Sequence, residues 1–207
     1  MNFLSYAFPA FAPCKRNTVL KQCLLFIFLI VPTVAFAKEG KERTQLRLTM
    51  HKDLELTQET ELSFKFVLVD DLNRRQEPIV ILGIKKHLTT YVSTEISVGW
   101  TGIKNEPLIE LSFLTQGTSF WGTFTSEVRT KTLHGYWFIQ GEYPIHGSLF
   151  CVGMENESWG SYVHGSSWMI QTGPNLVFRT KTFEVDLAVH LSRSLRPEIV
   201  SRIYFFF

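Results

Sequence analysis

The chain has 207 residues, of which 18 are Phe, 5 are Trp and 6 are Tyr, while only 19% are charged. This aromatic-rich, weakly charged composition excludes a disordered chain and a coiled coil. Three of the 21 basic residues (Lys15, Arg16 and Lys21) fall in residues 1–37, which leaves 18 basic and 19 acidic side chains in residues 38–207. Since the remainder is almost neutral, the sequence gives no electrostatic reason to expect nucleic-acid binding.

The start of the chain carries an export signal. Residues 23–37 form an uncharged apolar run that ends in Ala35-Phe36-Ala37, which matches the small-residue pattern of a signal-peptide cleavage site. Fifteen residues interrupted by Pro32 are fewer than the roughly 20 that a membrane-spanning helix needs. The sequence therefore predicts a signal peptide over residues 1–37, cleaved after Ala37, and a short N-terminal segment over residues 38–44.

From residue 45 to the C-terminus, apolar side chains recur at every second position. In residues 45–56 every even position is apolar or Lys and every odd position is polar. The same alternation is present in residues 62–66, 92–100 and 183–191. It indicates β-strands whose two faces meet different surroundings.

Turn signals divide the rest of the chain into short segments rich in β-branched and aromatic residues, as strands prefer. The pattern predicts one all-β domain over residues 45–207 with about ten to twelve strands, and eight strands stay open as an alternative. The predicted strands are 45–56, 61–69, 79–87, 91–101, 108–114, 119–128, 136–143, 148–154, 161–171, 175–181, 183–192 and 198–207.

The polar face of these segments suggests what surrounds the domain. It consists mostly of Ser, Thr, Gly and isolated acids, which would solubilise the outside of a water-soluble barrel poorly. Such residues suit the interior of a closed antiparallel transmembrane β-barrel, whose apolar residues face lipid. Aromatic residues near predicted strand ends, such as Trp100 and Tyr136, suit the headgroup level of a membrane. A secreted β-sandwich is the alternative interpretation.

The last strand adds a family resemblance. The chain ends in Phe207, and Phe205 and Ile203 precede it at steps of two. This strand resembles the C-terminal signature of Gram-negative outer-membrane β-barrel proteins, which end in Phe with apolar residues alternating upstream. The resemblance implies that the protein lies in the cell outer membrane, contacts its lipid, and presents these three residues to the outer-membrane assembly machinery. With the C-terminus at the periplasm, a twelve-stranded barrel would place residue 45 there too.

Three residues are candidates for catalysis. The pattern of His190, Ser192 and the later Glu198 is similar to the outer-membrane lipid A 3-O-deacylases, and the resemblance implies a Ser nucleophile, a His base and an orienting Glu. The alternation nevertheless places His190 and Ser192 on the polar face of their strand with Glu184 and Asp186, away from lipid. The sequence therefore favours a hydrogen-bonded histidine in the interior over a lipid A-modifying enzyme.

We predict that the charged residues of the polar faces line the lumen. Eight strands would leave room only for side chains, which favours a structural or envelope-interaction barrel. Twelve strands would favour a water-filled channel, whose excess of acids suits cations or polar neutral solutes. We expect a passive channel or transporter for small polar solutes. The predicted lumen-lining residues are Arg47, Glu55, Glu61, Lys65, Glu95, Glu110, Glu127, Glu184, Asp186, His190 and Arg202.

The sequence predicts no metal and no cofactor. The six histidines are scattered without a short-spaced pair of the H-x-x-x-H type. Outside the predicted signal peptide the single cysteine is Cys151, so an intramolecular disulfide or a cysteine-based zinc site is excluded there. Glycine-rich phosphate loops and the G-x-S-x-G motif are also missing from the sequence.

Overall fold

The protein is described by a computed structural model that covers residues 43–71, 77–145, 148–163, 168–192 and 197–207. The predicted signal peptide lies outside this part of the chain, as do residues 38–42. In the described residues no helix is long and apolar enough to cross a membrane.

The described residues form eleven strands that close into one barrel. Strands that follow each other in the chain pair antiparallel, whereas the closing pair of β1 and β11 is parallel. The strands are β1 Arg43–Thr57, β2 Thr60–Asp71, β3 Glu77–His87, β4 Val92–Thr101, β5 Glu106–Gln116, β6 Trp121–Arg129, β7 His134–Pro144, β8 Phe150–Ser161, β9 Met169–Arg179, β10 Phe183–Ser192 and β11 Pro197–Phe206.

The odd strand number corrects the twelve-stranded register, and eight strands are also wrong. Because successive strands reverse direction, the start of β1 and the end of β11 lie at opposite ends of the barrel. The parallel register follows, with Arg43 beside Glu198 and His51 beside Phe206. We call the end that holds the start of β1 and the turn 102–105 the N end. The C end holds Phe207 and the turn 117–120.

The sequence predicts a twelfth strand because it has turn signals at residues 156–160 and 173–174, and the structure places both inside strands, in β8 and β9. The predicted strands 148–154, 161–171 and 175–181 are replaced by β8 and β9. Gly173 is needed inside β9 because an added Cβ would lie 1.8 Å from the carbonyl oxygen of Val189. Pro174 has no N–H to donate, and the ladder between β9 and β10 skips this position and resumes at Thr172 and Leu191. A glycine-proline pair here permits close strand packing and does not end the strand.

The two faces of most strands differ as the alternation predicts, whereas Phe178 of β9 and Val185 of β10 are buried although their faces are opposite that of the inward Asp186. On β4, Ile96 and Val98 are 63% and 60% exposed, whereas Ser97 between them is 1% exposed. Exposed apolar side chains surround the barrel, and we call this surface the outer belt. Its members include Met50, Phe64, Leu82, Ile96, Ile109, Ile139, Met154, Val189 and Phe205.

Part of the interior is apolar. Ile79, Ile81 and Leu108 are buried and pack together with Val67 and Val69. Four of these side chains line the barrel cavity, the exception being Leu108. One patch of the inner wall, on β2, β3 and β5, is therefore apolar, whereas most of the inward positions are polar.

Candidate functional site

The interior contains a cavity of about 1970 Å³. Its lining includes Glu77 and Lys104 at the N end and Gln58 and Lys181 at the C end. Most of the lining belongs to β1–β7 and their turns. The cavity therefore extends between the two ends of the barrel along one side of the interior.

The lining is rich in charge, and acids outnumber bases. Among the described residues, eleven carboxylates and seven Lys or Arg side chains line the cavity. The carboxylates are Asp53, Glu55, Glu59, Glu61, Glu77, Glu95, Glu110, Glu127, Glu142, Glu157 and Glu184. The bases are Arg47, Lys65, Lys85, Lys104, Arg129, Arg179 and Lys181.

The residues that the sequence assigns to the lumen fall into two groups. One group lines the cavity and comprises Arg47, Glu55, Glu61, Lys65, Glu95, Glu110, Glu127 and Glu184. The second group, Asp186, His190 and Arg202, is buried beside the cavity. The structure thus places both groups in the interior but gives them different surroundings.

Two lysines on the cavity wall each lie between two carboxylates. Lys65 Nζ lies 2.9 Å from Glu95 Oε1 and 2.8 Å from Glu110 Oε1. This arrangement joins β2 to β4 and β5, although β3 lies between β2 and β4 in the sheet. Lys85 Nζ lies 2.9 Å from Asp53 Oδ2 and 2.8 Å from Glu61 Oε2. We call these two groups the lysine triads.

Two arginines repeat the same arrangement. Arg129 contacts Glu77 at 3.0 Å and Glu127 at 3.3 Å near the N end. Arg179 contacts Glu142 at 3.0 Å and is also paired with Glu184. Its guanidinium carbon lies 4.1 Å from the ring centroid of Trp121, a cation–π distance. Four bases of the cavity wall are therefore held by two acids each.

A buried ion cluster fills the other side of the interior. Arg202 donates to Glu155 at 2.7 Å, to Asp186 at 2.9 Å and to Glu157 at 2.9 Å. Arg47 of β1 donates to Glu157 at 2.8 Å. The cluster connects β1, β8, β10 and β11, so charges that would be costly to bury alone are compensated by each other.

The structure shows the partners of two of the three catalytic candidates, His190 and Glu198. His190 is fully buried, with Nε2 2.5 Å from Glu155 Oε1 and Nδ1 3.4 Å from Gln171 Oε1. Glu198 accepts a hydrogen bond from the same Gln171 side chain. The side chain of Ser192 lies outside the described part of the structure. His190 thus belongs to the buried ion cluster and points away from the outer belt.

Sequence reasoning missed several important charges of this site. The sequence does not predict Glu155 and Glu157 as lumen residues, because the turn signal at residues 156–160 predicts the end of a strand there. The period-two signal nevertheless continues through β8, since Cys151, Glu155 and Glu157 are all buried. Extending the alternation through the weak turn signal would have found both carboxylates.

Comparison of the chain with known proteins identifies no relative. No protein-family model, curated protein or solved structure matches the chain. Within the described residues, no group of three or more His, Cys, Asp or Glu side chains is placed to hold a metal ion. The geometry of the interior is therefore the basis for the functional argument.

Proposed function

We propose that the protein is an outer-membrane β-barrel that acts as a passive channel for small polar solutes. The observation that carries this proposal is the cavity of about 1970 Å³, whose lining reaches both ends of the barrel and is rich in charged side chains. Charged groups along a wet passage replace part of the hydration shell of a polar solute and lower the barrier to its crossing. The solute would pass beside β1–β7.

The outer surface supports a membrane location. Water-soluble monomers rarely expose a contiguous apolar patch larger than a few hundred Å², whereas the outer belt has members on nine of the eleven described strands. Strands of 9 to 15 residues suit a bilayer, which a tilted strand crosses in about 9–11 residues. Closure leaves no unpaired strand edge, as lipid requires. The predicted signal peptide and the C-terminal Phe agree with this location.

Conductance in planar lipid bilayers tests the channel. The purified protein should insert and give discrete current steps in salt solution. Thr123 lines the cavity, whereas Phe124, the next residue of β6, lies on the outer face and contacts Phe113. Thr123→Trp should lower the conductance because it narrows the passage, and the matched control Phe124→Trp should leave it unchanged. Insertion without current steps would overturn the proposal.

A structural barrel without transport is the second candidate. The buried ion cluster around Arg202 favours it because paired charged side chains fill part of the interior. For this candidate the bilayer experiment should give insertion and no current. Deletion of the gene would then weaken the envelope, measured as leakage of a periplasmic enzyme, without changing solute uptake.

A further inference from the structure

The lysine triads determine which charge the cavity offers to a solute. Lys65 and Lys85 are each in contact with two carboxylates, so neither lysine is available as a partner for a passing anion. Each triad contains two carboxylates and one lysine, so it has one carboxylate in excess. Asp53 and Glu61 are also 27% and 24% exposed, so both carboxylates are accessible to a solute in the cavity.

The C end of the cavity adds to this excess. Glu55 and Glu59 line the cavity on β1 and the adjoining turn, close in sequence to Asp53 and Glu61 of the Lys85 triad. Lys52 and Lys86 of the same strands are exposed at even positions, which carry the outer belt, and neither lines the cavity. The mouth formed by β1–β3 therefore presents four carboxylates and one lysine to the solution. Two histidines also lie there, with His51 Nε2 2.8 Å from Asp53 Oδ1 and His87 Nε2 3.2 Å from Glu61 Oε1.

We infer that the channel is selective for small cations over anions, and that the lysine triads set this preference. The inference rests on the proposed channel function. Because the low-dielectric barrel wall focuses the field of the excess carboxylates, mobile cations accumulate in the passage and anions are repelled. A cation can exchange between successive carboxylates, while an anion finds Lys65 and Lys85 already occupied by carboxylates. The class of solute is thus a small inorganic or amine cation.

The test is the reversal potential of the inserted protein in a KCl gradient. The permeability ratio of K⁺ to Cl⁻ should be several-fold above one. Glu95→Gln combined with Glu110→Gln frees Lys65 of both carboxylates and should lower the ratio. Lys65→Gln should raise it. The matched control is Lys52→Gln, which removes the same charge from the outer face of β1 and should leave the ratio unchanged.

The outcomes separate this inference from the proposed function. Absence of current overturns the channel, and the cation preference with it. Current with a ratio at or below one overturns the cation preference while the channel stands. A ratio above one that neither Lys65→Gln nor the double Gln variant changes would overturn the role of the triads. If the double variant fails to insert, Asp53→Asn tests the Lys85 triad by the same measurement.

Discussion

Arg202 and Glu157 form an ion pair of 2.9 Å across the barrel interior, although β9 and β10 separate their strands in the sheet. Glu157 also pairs with Arg47 of β1 at 2.8 Å. One carboxylate of β8 therefore holds side chains from both strands of the parallel seam. Arg202 and Glu157 are 0% and 2% exposed, so water cannot replace the pair.

Removing Arg202 should destabilise the barrel strongly. Arg202→Met leaves the carboxylates of Glu155, Glu157 and Asp186 without their shared cation, and breaking a buried pair in this way costs about 3–5 kcal/mol. Urea unfolding in lipid vesicles, followed by tryptophan fluorescence, measures the loss. Arg47→Met is the control and should cost less, because Arg47 contacts one carboxylate and is partly exposed. Equal losses would contradict the central role of Arg202.

The outer belt predicts that the loss of stability caused by a charged substitution depends on its position along the strand. Ile96→Arg should lower the free energy of unfolding by about 2–4 kcal/mol if the side chain meets the middle of a bilayer. On a water-soluble barrel the same change at an exposed site should stay within about 0.5 kcal/mol. Thr94→Arg, on the same face and two residues nearer the start of β4, is the control and should cost less because it lies closer to the edge of the bilayer. Unfolding in vesicles distinguishes the two cases, and two small losses would exclude the membrane location.

The odd strand number predicts opposite locations for the two ends of the domain. A tag inserted between Gly40 and Lys41 should share the accessibility of Lys104→Cys in the N-end turn. Ser119→Cys in the C-end turn should have the opposite accessibility. Protease treatment and an impermeant thiol reagent on intact cells, in a Cys151→Ser background, measure all three. A tag that behaves like position 119 would require a further strand before β1.

The terminal Phe predicts an assembly defect. Phe207 and Phe205 are exposed and lie beside Met50 of the outer belt, and Phe207 also reaches the rim of the cavity, whereas Phe206 lines the cavity next to the ring of His51. Phe207→Ala should reduce the amount of folded protein in the outer membrane if the assembly machinery reads this residue. Phe206→Ala is the control and should have a smaller effect on assembly. Refolding of both variants into detergent micelles separates an assembly defect from a stability defect. Equal amounts of the two folded variants in cells would contradict the role of Phe207 as an assembly signal.

The sequence allowed much of the site to be predicted, but not its pairing. The alternation in residues 45–56 places Arg47 and Glu55 on one face and Met50 on the other, and the structure has the same division. It could not reveal that Arg47 reaches Glu157, because these residues are 110 positions apart. The sequence-based prediction of β8 and β9 is wrong because local turn residues predict a break, whereas the neighbouring strands tolerate those residues inside the sheet.

Where the alternation is unbroken, as in residues 45–56, the sequence is enough to assign each side chain to a face of the barrel, because successive side chains of a strand point to opposite sides whatever the strand pairs with. It also determined the charge balance of those faces. Only the tertiary structure decided the strand number, the parallel closure of β1 on β11, and the assignment of two carboxylates to each of Lys65 and Lys85. These features depend on closure of the sheet, which brings together residues such as Lys65 and Glu110, 45 positions apart.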